Sequence, residues 1–385
     1  MNRLAQLAYV VFCCLLLAIS PQQSQANPVV TEGDGYIQID KEVFGAPLRI
    51  VRPDDWNGDL VVLLHGYVFP SAPVAVPPPG QELLFEALTA GLVESGYGVA
   101  YSGYRVNGYA VREGTIDSRV AQMLFGLHFG WPDRTFLTGF SMGTHIGQRL
   151  VETTPRMYDG FLAVCAALGG STIQNDYFSD SRVLFDYFFP GALPGDLLTT
   201  DLDFLSEAVP LIFGALASNF PAAIEMASVL ELEWTTPDEL IEGILFSLLG
   251  TGGGTMDMQA KAGGNPYDNS ERQYSGSFDD AALNGGIGRF IADHRAANYL
   301  RRYYDPRGKL RHTEVLHLHT TRDPTVPLAL HQPAYEALLE RRGNQDRYFV
   351  RAIDRFGHCT FGIDEILIAL EDLVEWTETG VRPVE

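Results

Sequence analysis

The sequence predicts an α/β chain: a doubly wound, mostly parallel sheet with a large helical cap inserted before the penultimate strand. Three observations lead there. Short, wholly apolar runs such as Asp59-Leu-Val-Val-Leu-Leu64 alternate with longer segments of helical spacing. A run that is apolar at every position is buried on both faces, as the strands of a parallel sheet are. The alternation then breaks between about Gly170 and Gly285, where apolar helical segments follow one another without a strand between them.

The chain of 385 residues is 46% hydrophobic, a globular composition long enough for one large domain with an insertion. It opens on a short basic start at Arg3, a continuous apolar run from Leu7 to Ile19 and small residues around Ser24-Gln25-Ala26. That pattern is a signal peptide over residues 1–26, too short for a comfortable membrane span of roughly 20 apolar residues. The expected mature protein is secreted or periplasmic, with no stable membrane insertion after cleavage. Core segments are expected over 27–169 and 286–385, with the cap at 170–285.

Within the first core segment, Tyr36–Lys41 and Pro47–Arg52 read as opening strands, and Asp59–Leu64 as a buried one. Val68–Gly80 is proline-rich loop, Gln81–Ser95 a helix, Tyr97–Gly103 a strand and Gly114–Gly130 a helix. Arg134–Thr138 is a strand, Thr144–Glu152 a helix and Gly160–Ala166 the next strand. In the cap, Arg182–Phe189, Phe204–Leu216, Pro221–Leu232 and Pro237–Leu249 have helical spacing, and Gly252-Gly253-Gly254 reads as a flexible joint. Asp280–Tyr304 is expected to return to the sheet as a helix. Thr313–Thr320 and Arg347–Ile353 read as strands around a helix at His331–Arg342, and Thr360–Glu375 as the closing helix.

Gly139-Phe140-Ser141-Met142-Gly143 sits between the strand at 134–138 and the helix at 144–152. A strand, a sharp turn and a helix are what a nucleophile elbow requires, with glycines where the turn leaves no room. A serine nucleophile needs a base, an acid to orient it and donors for a developing oxyanion. The loops after the strands supply candidates. Asp323, in Thr321-Arg-Asp-Pro-Thr-Val-Pro327, is the expected acid, with Asp354 second. His358, after Gly357 and beyond the last strand, is the expected base. The order Ser141, Asp323, His358 is that of the elbow-bearing hydrolases. Met142 N–H at the helix start and Tyr67 N–H in the His65-Gly66-Tyr67 turn are the expected oxyanion donors. His317 and His319 alternate on one strand, but no carboxylate or cysteine joins them at ligand spacing, so they read as sheet histidines and no metal is expected. Two cysteines remain after the leader, Cys165 and Cys359; an even count in an exported chain fits a disulfide or two separate buried thiols.

On His65-Gly66, Gly139–Gly143, Asp323-Pro-Thr-Val-Pro327 and Gly357-His358 the chain resembles the α/β-hydrolase superfamily over nearly all of the mature sequence except the insertion. The resemblance implies a cofactor-free serine hydrolase, usually an esterase or lipase and sometimes a peptidase or amidase. His358-Cys359 is also similar to the tannase and feruloyl-esterase group, in which a cysteine beside the serine bonds one beside the histidine. This chain departs from that pattern, because Phe140 precedes Ser141. The expected bridge is then Cys165–Cys359, tying the histidine loop to the sheet edge.

The balance of 27 Lys+Arg against 48 Asp+Glu gives a net charge of −21, which repels nucleic acid and anionic lipid and leaves a small-molecule ester as the expected partner. Phe185, Tyr187, Phe188, Phe189, Leu197, Leu198, Leu211, Ile212 and Phe213 could line an apolar pocket beside Ser141 or form the core of the cap. The leading expectation is a secreted hydrolase of carboxylic esters with an apolar acyl or aromatic substrate, working through an acyl-enzyme. A peptidase or amidase of the prolyl-oligopeptidase kind is the alternative, though no propeller is expected before Tyr36. A binding protein on the same scaffold is the third reading. Oligomeric state is not legible.

Overall fold

A computed structural model describes residues 28–154 and 156–384. The predicted signal peptide therefore lies outside the described residues. Nine strands form one sheet among them: β1 Val29–Gly33, β2 Tyr36–Val43, β3 Ala46–Pro53, β4 Asp59–Leu64, β5 Gly98–Ser102, β6 Arg134–Phe140, β7 Gly160–Val164, β8 Glu314–Arg322 and β9 Tyr348–Phe356. Their order across the sheet is β1-β2-β3-β5-β4-β6-β7-β8-β9. The first three strands, and β3 against β5, pair antiparallel; every later pair is parallel.

The central strands show why continuous apolar runs predict this arrangement. In β4, Leu60, Val62 and Leu64 enter one buried cluster, while Val61 and Leu63 enter another on the opposite face. Successive side chains of a strand point to opposite faces, so a strand covered on both sides must be apolar throughout. Helices α1 (Glu82–Glu94) and α12 (Ile363–Thr379) cover one face through Phe85, Leu88, Leu92, Ile366, Leu370 and Leu373. Helices α2 (Val111–Phe129) and α3 (Met142–Thr153) cover the other through Val111, Phe125, Ile146 and Leu150. Helix α11 (Leu328–Arg342) joins that layer with Tyr335 and Leu339.

Between β7 and β8 the chain runs through α4 (Ser171–Phe188), α5 (Val209–Ser218), α6 (Phe220–Val229), α7 (Pro237–Ser247), α8 (Gly253–Ala262), α9 (Asp280–Gly286) and α10 (His294–Tyr303). This insertion has a core of its own, built on Leu184, Phe185, Ile212, Met226, Leu240 and Ile244. Two expectations fail here. Gly253 and Gly254 are not a loose joint: they begin α8, whose Met258 is buried, and only Gly252 stands outside it, at φ +79°. Residues 280–304 are not one helix but two, separated by the stretch around Ile287–Asp293. One strand, β1, was not expected; its Val29 and Val30 are more than half exposed, so no burial pattern marks it.

Among the described residues no single helix is long and apolar enough to cross a membrane. Phe204–Ser218 with Phe220–Val229 passes that test only as a pair bent by 108°, and Ile212, Leu216, Ala223 and Met226 are buried in the protein.

Candidate active site

The parallel register brings the ends of β4, β6 and β7 level: Leu64 pairs with Gly139, and Phe140 with Val164. Whatever follows these strands gathers at one rim. Ser141 follows β6, at φ 51° and ψ −121°, and caps α3. A side-chain-bearing residue rarely adopts such a backbone; holding it there costs on the order of 1–3 kcal/mol. The neighbours explain how it is held. Ser141 N–H donates to Val164 O at 3.1 Å. A Cβ on Gly143 would collide with the carbonyl oxygens of Leu64 and His65, and one on Gly139 would lie 2.9 Å from Gly143 O. Only glycine lets the turn press this closely on the end of β4.

His358 lies between Ser141 and Asp323. Its Nε2 is 2.9 Å from Ser141 Oγ, and its Nδ1 is 2.7 Å from Asp323 Oδ2. Asp323 is buried, and its Oδ1 accepts the backbone N–H groups of Thr325 and Val326, each at 2.9 Å. Burial alone pushes this carboxyl upward; the imidazoles of His358 and His319 outweigh it and hold Asp323 well below the usual carboxylate range. Asp354, the second candidate acid, lies within β9 with its side chain largely exposed, near Arg322.

The sequence reading missed what supports Asp323. His319 Nδ1 accepts Ala166 N–H at 3.0 Å, so its proton sits on Nε2. That nitrogen donates to Val326 O at 2.9 Å and lies 3.3 Å from Asp323 Oδ2. Behind it, His317 Nε2 is 2.8 Å from His319 Nδ1, and Tyr348 O–H donates to His317 Nδ1 at 2.7 Å. From α4, Gln174 Nε2 donates to Thr325 O at 2.8 Å and Tyr177 O–H to Pro324 O at 2.6 Å. The two strand histidines are thus hydrogen-bonded into the cradle of the Asp323 loop. Histidines alternating on one strand just before a candidate acid were the available signal.

Cys165 and Cys359 form a disulfide, with Cα atoms 5.1 Å apart. Both residues hold positive φ, 46° and 56°. His358 is pinned on its other side as well: Thr320 O–H donates to Gly357 O at 2.7 Å, and Gly357 N–H to Arg322 O at 3.0 Å. Among the described residues, Cys165, His358 and Cys359 are the one group with possible metal-ligand atoms this close together, within 4.8 Å. The bridge ties up both sulfurs, because the thiolate is the form that ligates.

Met142 begins α3, and the His65–Tyr67 turn lies against the serine: a Cβ on Gly66 would be 3.4 Å from Ser141 Cβ. A cavity opens beside Ser141, lined in part by Tyr67, Met142, Phe178, Leu249 and Met258. None of the nine cap aromatic and aliphatic residues named above lines it. Phe185, Phe189, Leu197 and Ile212 are in the cap's core, while Leu211 and Phe213 are exposed. Periodicity alone does not tell which side of a cap helix meets the cavity.

No model of a known protein family matches the sequence, and no curated protein does. Solved structures are similar at low identity. Feruloyl esterase B from Aspergillus oryzae is 14% identical with a TM-score of 0.47, over 90% of this chain and 81% of that one. Candida antarctica lipase A in its closed state is 12% identical with a TM-score of 0.48, over 94% and 83%. An acylaminoacyl peptidase from Pyrococcus horikoshii is 10% identical with a TM-score of 0.41, over 97% of this chain but 44% of that one. At these values the likenesses say nothing about substrate. The strand order, the turn between β6 and α3, and a helical insertion before β8 give this chain the α/β-hydrolase fold.

Proposed function

We propose that this protein is an exported serine hydrolase that cleaves carboxylic esters through an acyl-enzyme, with Ser141 as nucleophile, His358 as base and Asp323 as the orienting acid. One observation carries the reading: His358 reaches Ser141 Oγ at 2.9 Å and Asp323 Oδ2 at 2.7 Å. An ionised carboxylate only accepts, so the imidazole proton sits on Nδ1 and the Nε2 lone pair faces the serine hydroxyl. As Ser141 Oγ attacks the ester carbonyl, Nε2 takes its proton; it then passes that proton to the departing alcohol. Water repeats the sequence on the acyl-enzyme and frees the acid.

The oxyanion is assigned to the backbone N–H groups of Met142 and Tyr67. First-turn N–H groups have no acceptor within their helix, and the helix dipole adds to their pull. One such donor contributes about 3 kcal/mol to the transition state. The cap over 170–285 would close the site from above. Export is supported by the leader-like start and by the disulfide, which persists in oxidising compartments.

The test is turnover of short 4-nitrophenyl esters. The reading expects a burst of nitrophenol followed by a slower steady state, and loss of both in Ser141→Ala. Faster cleavage of peptide anilides through the same serine would replace it by the peptidase alternative. Ligand binding without turnover of either class would leave only the scaffold.

A further inference from the structure

Resting on the ester reading above, we propose that the cavity beside Ser141 selects neutral acyl groups that carry oxygen (hydroxyl, alkoxy or oxo) over plain alkyl chains of the same size.

The cavity's walls are apolar where Phe178, Leu249 and Met258 stand. Its lining contains no Asp, Glu, Lys or Arg, in a chain with 75 such residues. Its one histidine, His145, is driven neutral by burial. A charged acyl group would enter with no counter-ion, and an unpaired buried charge is expensive. The substrate's acyl part is therefore neutral.

The lining is nevertheless not a plain hydrocarbon surface. Four of its residues hold a buried polar atom with no hydrogen-bond partner among the described residues: Tyr67 Oη, His145 Nδ1, Asn175 Nδ2 and Thr325 Oγ1. They come from four different places: the turn after β4, helix α3, helix α4 and the loop after β8. Other polar groups of the same lining are satisfied. Tyr109 O–H donates to Ser171 Oγ, Thr255 O–H to Gly250 O, and Gln174 spans His331 and Thr325 O. Four unsatisfied groups around one cavity stand against the rule that buried polar atoms are paired. Asn175 Nδ2 can only donate, and the hydroxyls of Tyr67 and Thr325 can donate or accept. What these groups have in common is an oxygen acceptor as partner. An alkyl chain would leave them sealed and unpaired, and a site that expects a hydrogen bond discriminates sharply against the analogue lacking it.

The experiment compares three series of 4-nitrophenyl esters of graded acyl length, ending in methyl, hydroxyl or carboxylate. At the best length the hydroxyl ester is expected to exceed the methyl ester in kcat/KM by about tenfold, with the carboxylate ester slowest. Asn175→Leu, read as the same ratio within the variant, should reduce the hydroxyl-to-methyl preference by about threefold to tenfold, and a thermal melt matching the wild type reports that the variant folds. Tyr67→Phe, read only as the same ratio within the variant, should reduce it too. Methyl esters faster at every length, or a ratio unmoved in both variants, would overturn the proposal while the ester reading stands. Turnover of no ester in any series would sink both.

Discussion

His319 Nε2 lies 3.3 Å from Asp323 Oδ2, the same carboxylate oxygen that His358 Nδ1 approaches to 2.7 Å. Both side chains of the His319–Asp323 pair are fully buried. The acid thus has two imidazole neighbours, one facing Ser141 and one anchored in the sheet, and its second oxygen is held by two backbone N–H groups. A carboxylate so placed stays ionised despite burial and cannot rotate away from His358.

His319→Leu should therefore do two kinds of damage. It orphans Ala166 N–H and removes a charge-assisted contact, which together cost about 2–4 kcal/mol of stability. It also frees the Asp323 carboxylate, so kcat should fall by roughly tenfold or more with KM little changed. His319→Gln, which can accept and donate along the same directions, should recover most of kcat. Thermal melts and steady-state ester kinetics on the two variants check this; equal kcat in Leu and wild type would dismiss any role for His319 in positioning the acid.

Ser141 is the residue under backbone strain, and that strain has a measurable counterpart. Glycine adopts φ 51°, ψ −121° without penalty, so Ser141→Gly should abolish turnover and raise stability by about 1 kcal/mol. Gly143→Ala should act in the opposite sense, since its methyl would meet backbone carbonyls of Leu64 and His65 that have nowhere to go. Denaturant unfolding of the pair measures both signs; a destabilised Ser141→Gly would show that the serine hydroxyl, not the strain, dominates the turn.

The parts of this molecule readable from sequence are those where one physical signal acts alone. Strands β4 to β7 are short, largely apolar runs buried on both faces, and Ser141, Asp323 and His358 follow strand ends, where a parallel sheet gathers its loops. The unreadable parts are settled by tertiary packing. Gly253 and Gly254 are poor helix formers, yet α8 forms because Met258 packs into the core and the Asp257 carboxylate accepts Tyr109 N–H at 2.6 Å. The cavity is lined by Phe178, Leu249 and Met258 rather than by Phe185 or Ile212, because each cap helix has several apolar faces and sequence does not say which one meets Ser141. The role of His319 needed the loop at 323–326 to be folded back beside it.

The Cys165–Cys359 bridge closes a loop of 194 residues, which in the chain-entropy account contributes up to about 5 kcal/mol. Its second effect is local, because Cys359 directly follows His358. Reduction should lower the melting temperature and cut ester turnover together. Cys165→Ser with Cys359→Ser should do the same without reductant, with Ser141 still labelled by a fluorophosphonate, though more slowly. Full turnover in protein whose two thiols have been reduced and alkylated would show that the Thr320 and Arg322 contacts to Gly357 hold the base unaided.

Acid should weaken the fold through its buried imidazoles. Burial drives His331 down to about 3, aided by His145 and His319 nearby; His145 also falls to about 3 and His65 to about 4. Each is neutral in the folded protein, whereas in the unfolded chain it protonates near 6.5. Between those values the unfolded state binds the extra proton, so stability is full above about pH 6.5 and declines as pH falls toward the folded value. Buried carboxyls act in the other direction: Asp176, pushed up to about 6 by burial, gains a proton in the folded state first. The net slope therefore mixes both signs, and a single substitution separates them. His331→Gln keeps a group able to reach Gln174 and Gly169 but cannot titrate. The difference in unfolding free energy between wild type and this variant should shift by about 1 kcal/mol per pH unit below pH 6.5, against the wild type, and stay constant above it. A difference that is flat from pH 7 to pH 5 would mean that His331 is protonated in the folded protein, and with it that its contact to Gln174, and through Gln174 to the Asp323 loop, has a different donor.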